Sequence, residues 1–422
     1  MNQTITSWSK TQLFFFRLFP IYLILYILFI SDFISFYGDV IPVLSYINKP
    51  FIFVTESFMR LINLLFIHGQ SVPTLDFQSD TFWGARAVLS FFIVAIVIAM
   101  AWTKFDKKRS HPVLFSLVYT IARYYLAYIF FSYGMAKVFG NQFGYNSQNA
   151  LLYSLPDLNP HQLFWSFMGT SRSYQIFAGI IEIIPGILLL FRSTTILGAL
   201  VALPVTANVL MLNIGYDTRL KIFLLHLFII SLFILAPSIK RLFNFILFKK
   251  NETLAACPTI PLIARKKWLA VLIKISFICL VVFLEFSFET RQVNERKNAP
   301  QNALVGLHSI KQFRFINNSA IDNSKAWKRI SVTPYARFSV QFANDSTTSY
   351  FFDSVTSERM ELVTDADTSF KCRLSYKELG PAEWFFSGTL KNDSISFTST
   401  KIDLNKTTLL KDYGKVKWLY ED

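Results

Sequence analysis

The sequence predicts an all-α transmembrane bundle of about seven helices followed by a small, mostly antiparallel β domain, either a sheet or an open barrel. Three observations carry this reading. Of 422 residues, 53% are apolar and 16% charged, with 45 Phe against 15 Gly and 15 Pro, which excludes a disordered, collagen-like or wholly soluble chain. Apolar runs long enough to cross ~30 Å of hydrocarbon recur as far as residue 288. Beyond Thr290 the pattern alternates, as in Ala336 to Phe342 and Ser394 to Thr398, which is strand patterning.

The spanning runs fall at 13–36, 86–103, 117–139, 174–191, 194–214, 221–236 and 268–288. The first spans some 24 residues without a small-residue cleavage site, so it is expected to remain as a helix and not to be removed as a signal peptide. Within loop 37–85, Phe51, Phe53, Phe58, Met59, Leu61, Ile62, Leu64 and Phe66 predict an amphipathic helix on the outer interface, or else a short eighth crossing. Asn344-Asp345 and Asn392-Asp393 punctuate the alternating runs and predict five to eight short strands. The organisation is then 1–116, N-terminal spans with an outer loop; 117–250, a four-helix membrane core; 251–290, a cytoplasmic linker and last span; and 291–422, the β domain.

The formal charge of +15 is unevenly shared: residues 1–290 hold 23 Lys+Arg against 12 Asp+Glu, residues 291–422 hold 19 against 15. In the apolar part the basic residues cluster between runs, at Lys104, Lys107, Lys108 and Arg109, then from Lys240 to Lys267. Basic loops stay cytoplasmic, so these are orientation signals. They place the N-terminus inside and, after an odd number of crossings, the β domain outside. The partner they imply is the lipid bilayer, not nucleic acid. Cys257, Cys279 and Cys372 lie far apart with no CxxC spacing, which supports neither a disulfide framework nor a metal site. No GxGxxG, Walker A, HExxH or GxSxG motif occurs, and none of the five His are paired at helical spacing.

An ionisable side chain in hydrocarbon costs roughly 2.5–3.5 kcal/mol on insertion scales, so each asks for a partner or a wet cavity. Glu182 lies about 12 Å deep at ~1.5 Å per residue. Asn208, His226 and Lys137 fall at comparable depth from the outer ends of their runs, with Asn213, Asp217 and Lys221 just above. These seven residues predict an outward polar pocket with Glu182 and Lys137 as its charged pair. Interhelical glue is the competing reading of the same residues. Asp217 and Lys221 also fit a local i,i+4 pair at a helix start, and Arg123 can snorkel from the cytoplasmic side. Pro185 and Pro204 either kink their helices or free carbonyls to line a cavity. In the β domain, Trp327, Arg329, Arg337, Trp384 and Trp418 suit either a ligand-lined barrel or a core with a charged rim.

Several ordered segments resemble bacterial DoxX-like membrane proteins, in a long form with a C-terminal extension. They are Arg123 to Ala127, Tyr133-Gly134-Met135-Ala136-Lys137-Val138-Phe139 with Gln142-Phe143, Trp165 to Gly169, Phe177-Ala178-Gly179 with Glu182, Phe191 to Leu200, and Asn208 to Asn213 with Tyr216-Asp217 and Lys221. The resemblance covers about 118–250. It implies a four-helix core in the bacterial inner membrane and adds Arg123 and Gln142 as secondary site candidates. DoxX relatives are associated with membrane redox systems, including a thiosulfate:quinone oxidoreductase. The implied function is therefore a subunit of a quinone-linked system that binds a small apolar ligand, with quinone as the implied cofactor and a redox protein as partner. The alternative is a non-enzymatic anchor that displays the β domain to an envelope partner. Two departures stand out. Leu155 to Pro160 replaces a Gly-Asp-Ser-Ser-Pro-like segment, and Val416 to Glu421 replaces a Phe-His-Trp-Ile-Asn-Glu-like end that contains a His.

Overall fold

The computed structural model describes residues 8–29, 41–66, 80–143, 150–253, 257–260, 266–298, 303–316, 323–333, 337–356, 358–364, 371–390 and 393–407. Among these, nine α-helices precede eight strands. Helices α1 (Lys10–Phe29), α3 (Phe82–Phe105), α4 (Pro112–Phe139), α6 (Arg172–Leu190), α7 (Thr195–Gly215), α8 (Lys221–Phe248) and α9 (Lys267–Lys297) are long and apolar enough to cross a membrane. Between them lie α2 (Pro42–Phe66) and the short α5 (Pro160–Thr170). The chain divides into two compact units, one of residues 1–138 and 178–291, the other of 139–177 and 292–422.

In the helical unit, local chemistry sets the helix ends. Thr81 caps α3 by accepting the Gly84 N–H at 3.0 Å, Pro112 occupies the first turn of α4, and Gly140 stops α4 in the left-handed region at φ 74°. Lys249 closes α8 in the same conformation at φ 48°. Helix α1 runs antiparallel to α3: Trp8 N–H donates to Arg109 O at 3.2 Å, and the buried Arg17 donates to Asp106 O at 3.1 Å. We call this the basic end, since Lys104, Lys107, Lys108 and Arg109 lie there. Helix α1 leaves and α3 enters at the opposite end, and α2 between them is not among the described helices long and apolar enough to cross a membrane. Its Thr55 reaches Phe29 O at the end of α1, 3.2 Å away.

Helix α4 is the most buried span and supplies the centre of the core, with Leu126 and Phe130 packed against Leu189, Ala202, Leu227 and Ile234. Exposed Leu89, Phe92, Ile93 and Val97 on α3, and Phe283 and Phe286 on α9, leave an apolar periphery suited to lipid. The chain has the architecture of a multi-pass membrane protein. Two helices run past their apolar runs: α8 continues to Phe248 and α9 through Glu289 to Lys297. Backbone hydrogen bonding persists after hydropathy falls, and hydropathy was the signal that set the expected ends.

The second unit is built on a closed antiparallel barrel, β1 (Gly306–Phe315), β2 (Trp327–Val332), β3 (Arg337–Phe342), β4 (Thr347–Val355), β5 (Arg359–Val363), β6 (Lys371–Gly380), β7 (Glu383–Leu390) and β8 (Asp393–Lys401), each paired with its neighbour and β8 with β1. The expected open barrel is thus a closed one. The β3–β4 turn is Asn344-Asp345 as expected, with Asp345 at φ 64°; residue 392 of the second turn pair lies outside the described residues. Registers Ile330↔Val340 and Phe386↔Phe397 point large side chains inward, where Phe338, Phe386 and Phe397 are at most 1% exposed. Eight strands enclose a space that side chains fill. Trp327 and Trp384 belong to this core while Arg337 is exposed, so core and rim describe the barrel; Trp418 lies outside the described residues. Ser331 and Ser339 pair on the outer face of β2 and β3 yet are buried. The turn Ala150–Leu152 packs on β2 and makes residues 139–177 part of this unit. Arg296, near the end of α9, donates to Gly140 O at 3.0 Å.

Candidate polar sites in the helical unit

Small residues position the Lys137–Glu182 pair. Helices α4 and α6 cross at Gly134, Gly179 and Gly186. A Cβ on Gly179 would lie 2.6 Å from Gly134 O, and one on Gly186 would lie 3.0 Å from Ala127 O. Only glycine permits that approach. Lys137 follows Gly134 by three positions and Glu182 follows Gly179 by three, so both charges lie on the contact faces. Lys137 Nζ donates to Glu182 Oε2 at 2.6 Å, with side chains 6% and 7% exposed. The expected ion pair is formed.

The other candidates find partners in their own neighbourhoods. His226 on α8 meets α1: its Nε2 lies 2.6 Å from Tyr22 Oη and its Nδ1 2.7 Å from Ile222 O. A carbonyl only accepts, so Nδ1 carries the proton and, in the neutral ring, Nε2 accepts from the Tyr22 hydroxyl. Tyr26 stacks flat on the imidazole, with centroids 4.0 Å apart and planes within 7°. Asn213 is buried, donates to Val209 O at 2.8 Å and accepts from the Thr218 hydroxyl, closing the end of α7. Asp217 and Lys221 form an exposed local pair at 2.7 Å, with Asp217 81% exposed.

Asn208 corrects the expectation of a shared pocket, because its side chain is exposed. The reason is helical phase. Ala199, Ala202, Thr206 and Asn213 form the buried face of α7, and a five-residue step turns a side chain by about 140°. Asn208 and Asn213 cannot both face inward. Arg123 lies toward the basic end, 4% exposed, bonding Thr195 Oγ1 at 3.2 Å and Cys257 Sγ at 3.3 Å. Gln142 belongs to the barrel's unit, half-buried, and its Oε1 has no hydrogen-bond partner among the described residues.

Sequence reasoning missed three features. Asp80, just before α3, accepts from the Lys221 and Ile222 N–H groups at 2.6 and 2.8 Å and so caps α8 from a distance. Tyr22 and Tyr26 carry His226, and two apolar-run tyrosines give no local sign of this. Glu285 and Glu289 are buried on α9; an acidic residue inside the run 268–288 was the available signal. Among the described residues no group of three or more His, Cys, Asp or Glu is placed to hold a metal ion.

No family model matches this chain, and no solved structure matches it. It is similar to the uncharacterized protein YwoB of Bacillus subtilis (strain 168), 35% identical over 95 residues, which cover 22% of this chain and 60% of that protein.

Proposed function

We propose that the chain is a DoxX-like multi-pass protein of the bacterial inner membrane that serves as a subunit of a quinone-linked redox system. In this reading the basic end faces the cytoplasm and the barrel lies outside, as the distribution of Lys and Arg between loops favours. The observation that carries the proposal is the Lys137–Glu182 pair, two ionisable groups almost fully buried in spanning helices. Its frame, Gly134 and Gly179, belongs to the segments that resemble DoxX. Charge kept in such a place is by default functional. The chain itself would move protons, through Glu182 and the Tyr22–His226 pair, and an electron carrier would come from a partner. The test is purification in mild detergent followed by an absorbance spectrum and solvent extraction. Recovery of quinone, lost in Glu182→Gln, supports the reading; no chromophore and no quinone in the wild-type protein removes it.

The second reading, a non-enzymatic anchor that presents the barrel to an envelope partner, is favoured by the barrel's filled interior. It requires Glu182→Gln to leave the cellular phenotype intact while substitutions on the barrel surface abolish it.

A further inference from the structure

We propose that the helical unit holds one anionic amphiphile, a phosphate or carboxylate head on a hydrocarbon tail, in a cavity at its basic end. The cavity measures about 820 Å³ and lies among α4, the α6–α7 turn, residues 258–260 and the first half of α9. That volume is within the ~300–1,000 Å³ range of small-molecule sites. It is distant in the chain's topology from the Lys137–Glu182 pair, which sits in the last turn of α4.

Its walls and its charges are sorted. Ile121, Tyr124, Leu190, Val271, Ile273 and Phe277 provide apolar surface, and Arg123, Arg192 and Lys274 provide three cations, with no Asp or Glu among the described residues of the lining. Arg123 is the least exposed of these cations. Its Nη1 bonds two neutral groups, Thr195 Oγ1 and Cys257 Sγ, and its Nε has no hydrogen-bond partner among the described residues. Lys274 places its ammonium over the Phe191 ring at 3.6 Å, and Arg192 donates to Cys257 O at 2.6 Å. Among the described residues no carboxylate lies within ion-pair distance of any of the three. A buried guanidinium with neutral neighbours is costly to keep, and an anionic head that accepts from its free N–H offsets that cost.

The level is also right for a membrane amphiphile. Thr195 is the first residue of α7 and Arg192 lies in the turn before it, so the cations stand where hydrocarbon gives way to head groups. The tail then runs along Tyr124, Ile273 and Phe277. Basic residues at this end raise the local concentration of anionic lipid.

Native mass spectrometry of the full-length protein in non-ionic detergent tests this with three probes: dioleoyl-phosphatidylglycerol, dioleoyl-phosphatidylcholine and oleate. We expect one phosphatidylglycerol retained about tenfold more tightly than phosphatidylcholine, and that preference lost in Arg123→Gln and Lys274→Gln and kept in Arg123→Lys. Oleate retained as well as phosphatidylglycerol means that a free amphiphile suffices; oleate not retained assigns the site to bilayer lipid. Equal retention of the two phospholipids by the wild type overturns the proposal. So does an unchanged preference in Lys274→Gln and in Ala270→Phe, two half-buried positions that test the site should Arg123→Gln fail to fold. Loss of quinone binding has no bearing on these outcomes.

Discussion

Replacing Glu182 with glutamine removes one charge from a pair closed at 2.6 Å between side chains 6% and 7% exposed. The gross attraction at that separation is roughly 6 kcal/mol at an effective dielectric of ~20. Most of it is offset by the desolvation of both ions, so the net worth of the intact pair is small. The mutant is different: it takes the Glu182 carboxylate away from an ammonium that stays buried. The expected cost is about 3–5 kcal/mol, or on the order of 10 °C in apparent melting temperature for a unit of this size. Lys137→Met alone should cost a similar amount by stranding the carboxylate. The double variant Lys137→Met/Glu182→Leu strands neither, and should recover to within about 1 kcal/mol of wild type or exceed it. The assay is thermal unfolding of the four proteins in one detergent, followed by intrinsic fluorescence and retention on size exclusion. A single variant that melts with the wild type refutes the reading that each charge of this pair depends on the other. A double variant as unstable as the singles shows instead that the site needs polarity.

Three further outcomes follow from the geometry. His308 lies inside the barrel, fully buried, with its Nε2–H on Leu304 O at 2.9 Å, and burial lowers its pKa from 6.5 to about 4. The unfolded chain therefore binds the extra proton first, so barrel stability falls as pH drops from ~6.5 through ~4, by about 3 kcal/mol in full; near-UV circular dichroism of wild type and His308→Gln as a function of pH checks this, and the variant should lose the dependence. Cys372 is fully buried and its thiol is pushed up to about 12, so maleimide should label it only after denaturation, as tryptic mapping of labelled protein would show. Gly179→Ala drives a Cβ to 2.6 Å from Gly134 O, whereas Gly215 has nothing within 4 Å. The first should cost about 1–3 kcal/mol and Gly215→Ala almost nothing, read from melting temperatures in one detergent.

Much of this molecule was legible in the chain because its signals are local. Apolar length identifies seven spans, and alternation identifies strands. Proximity across the chain was less legible. The Tyr22–His226 contact joins residues 204 apart and Asp80 caps a helix 141 residues away; neither leaves a pattern in a window of any ordinary size. Depth alone suggested that Glu182, Asn208 and His226 converge, but depth fixes one coordinate and helical phase fixes another. Phase turns Asn208 outward and sends His226 to α1. Strand count was accessible and closure was not, because closure depends on a single long-range pairing. The Lys137–Glu182 pair was legible for a different reason: a charge inside an apolar run asks for a partner, and these are opposite charges at comparable depth.

The pairing of β8 with β1 gives the chain an order of completion. Seven strands can each lie against the preceding one as they leave the ribosome, but β1 waits with one edge bare until residues 393–401 arrive, some eighty positions later. Until then two open edges, on β1 and on the growing last strand, are available to any extended neighbour. A chain that stops short of β8 keeps both. In the finished protein the ring has no free edge, so a partner cannot join it by adding a strand. Recognition has to use side chains on the outer surface or the turns at the two rims.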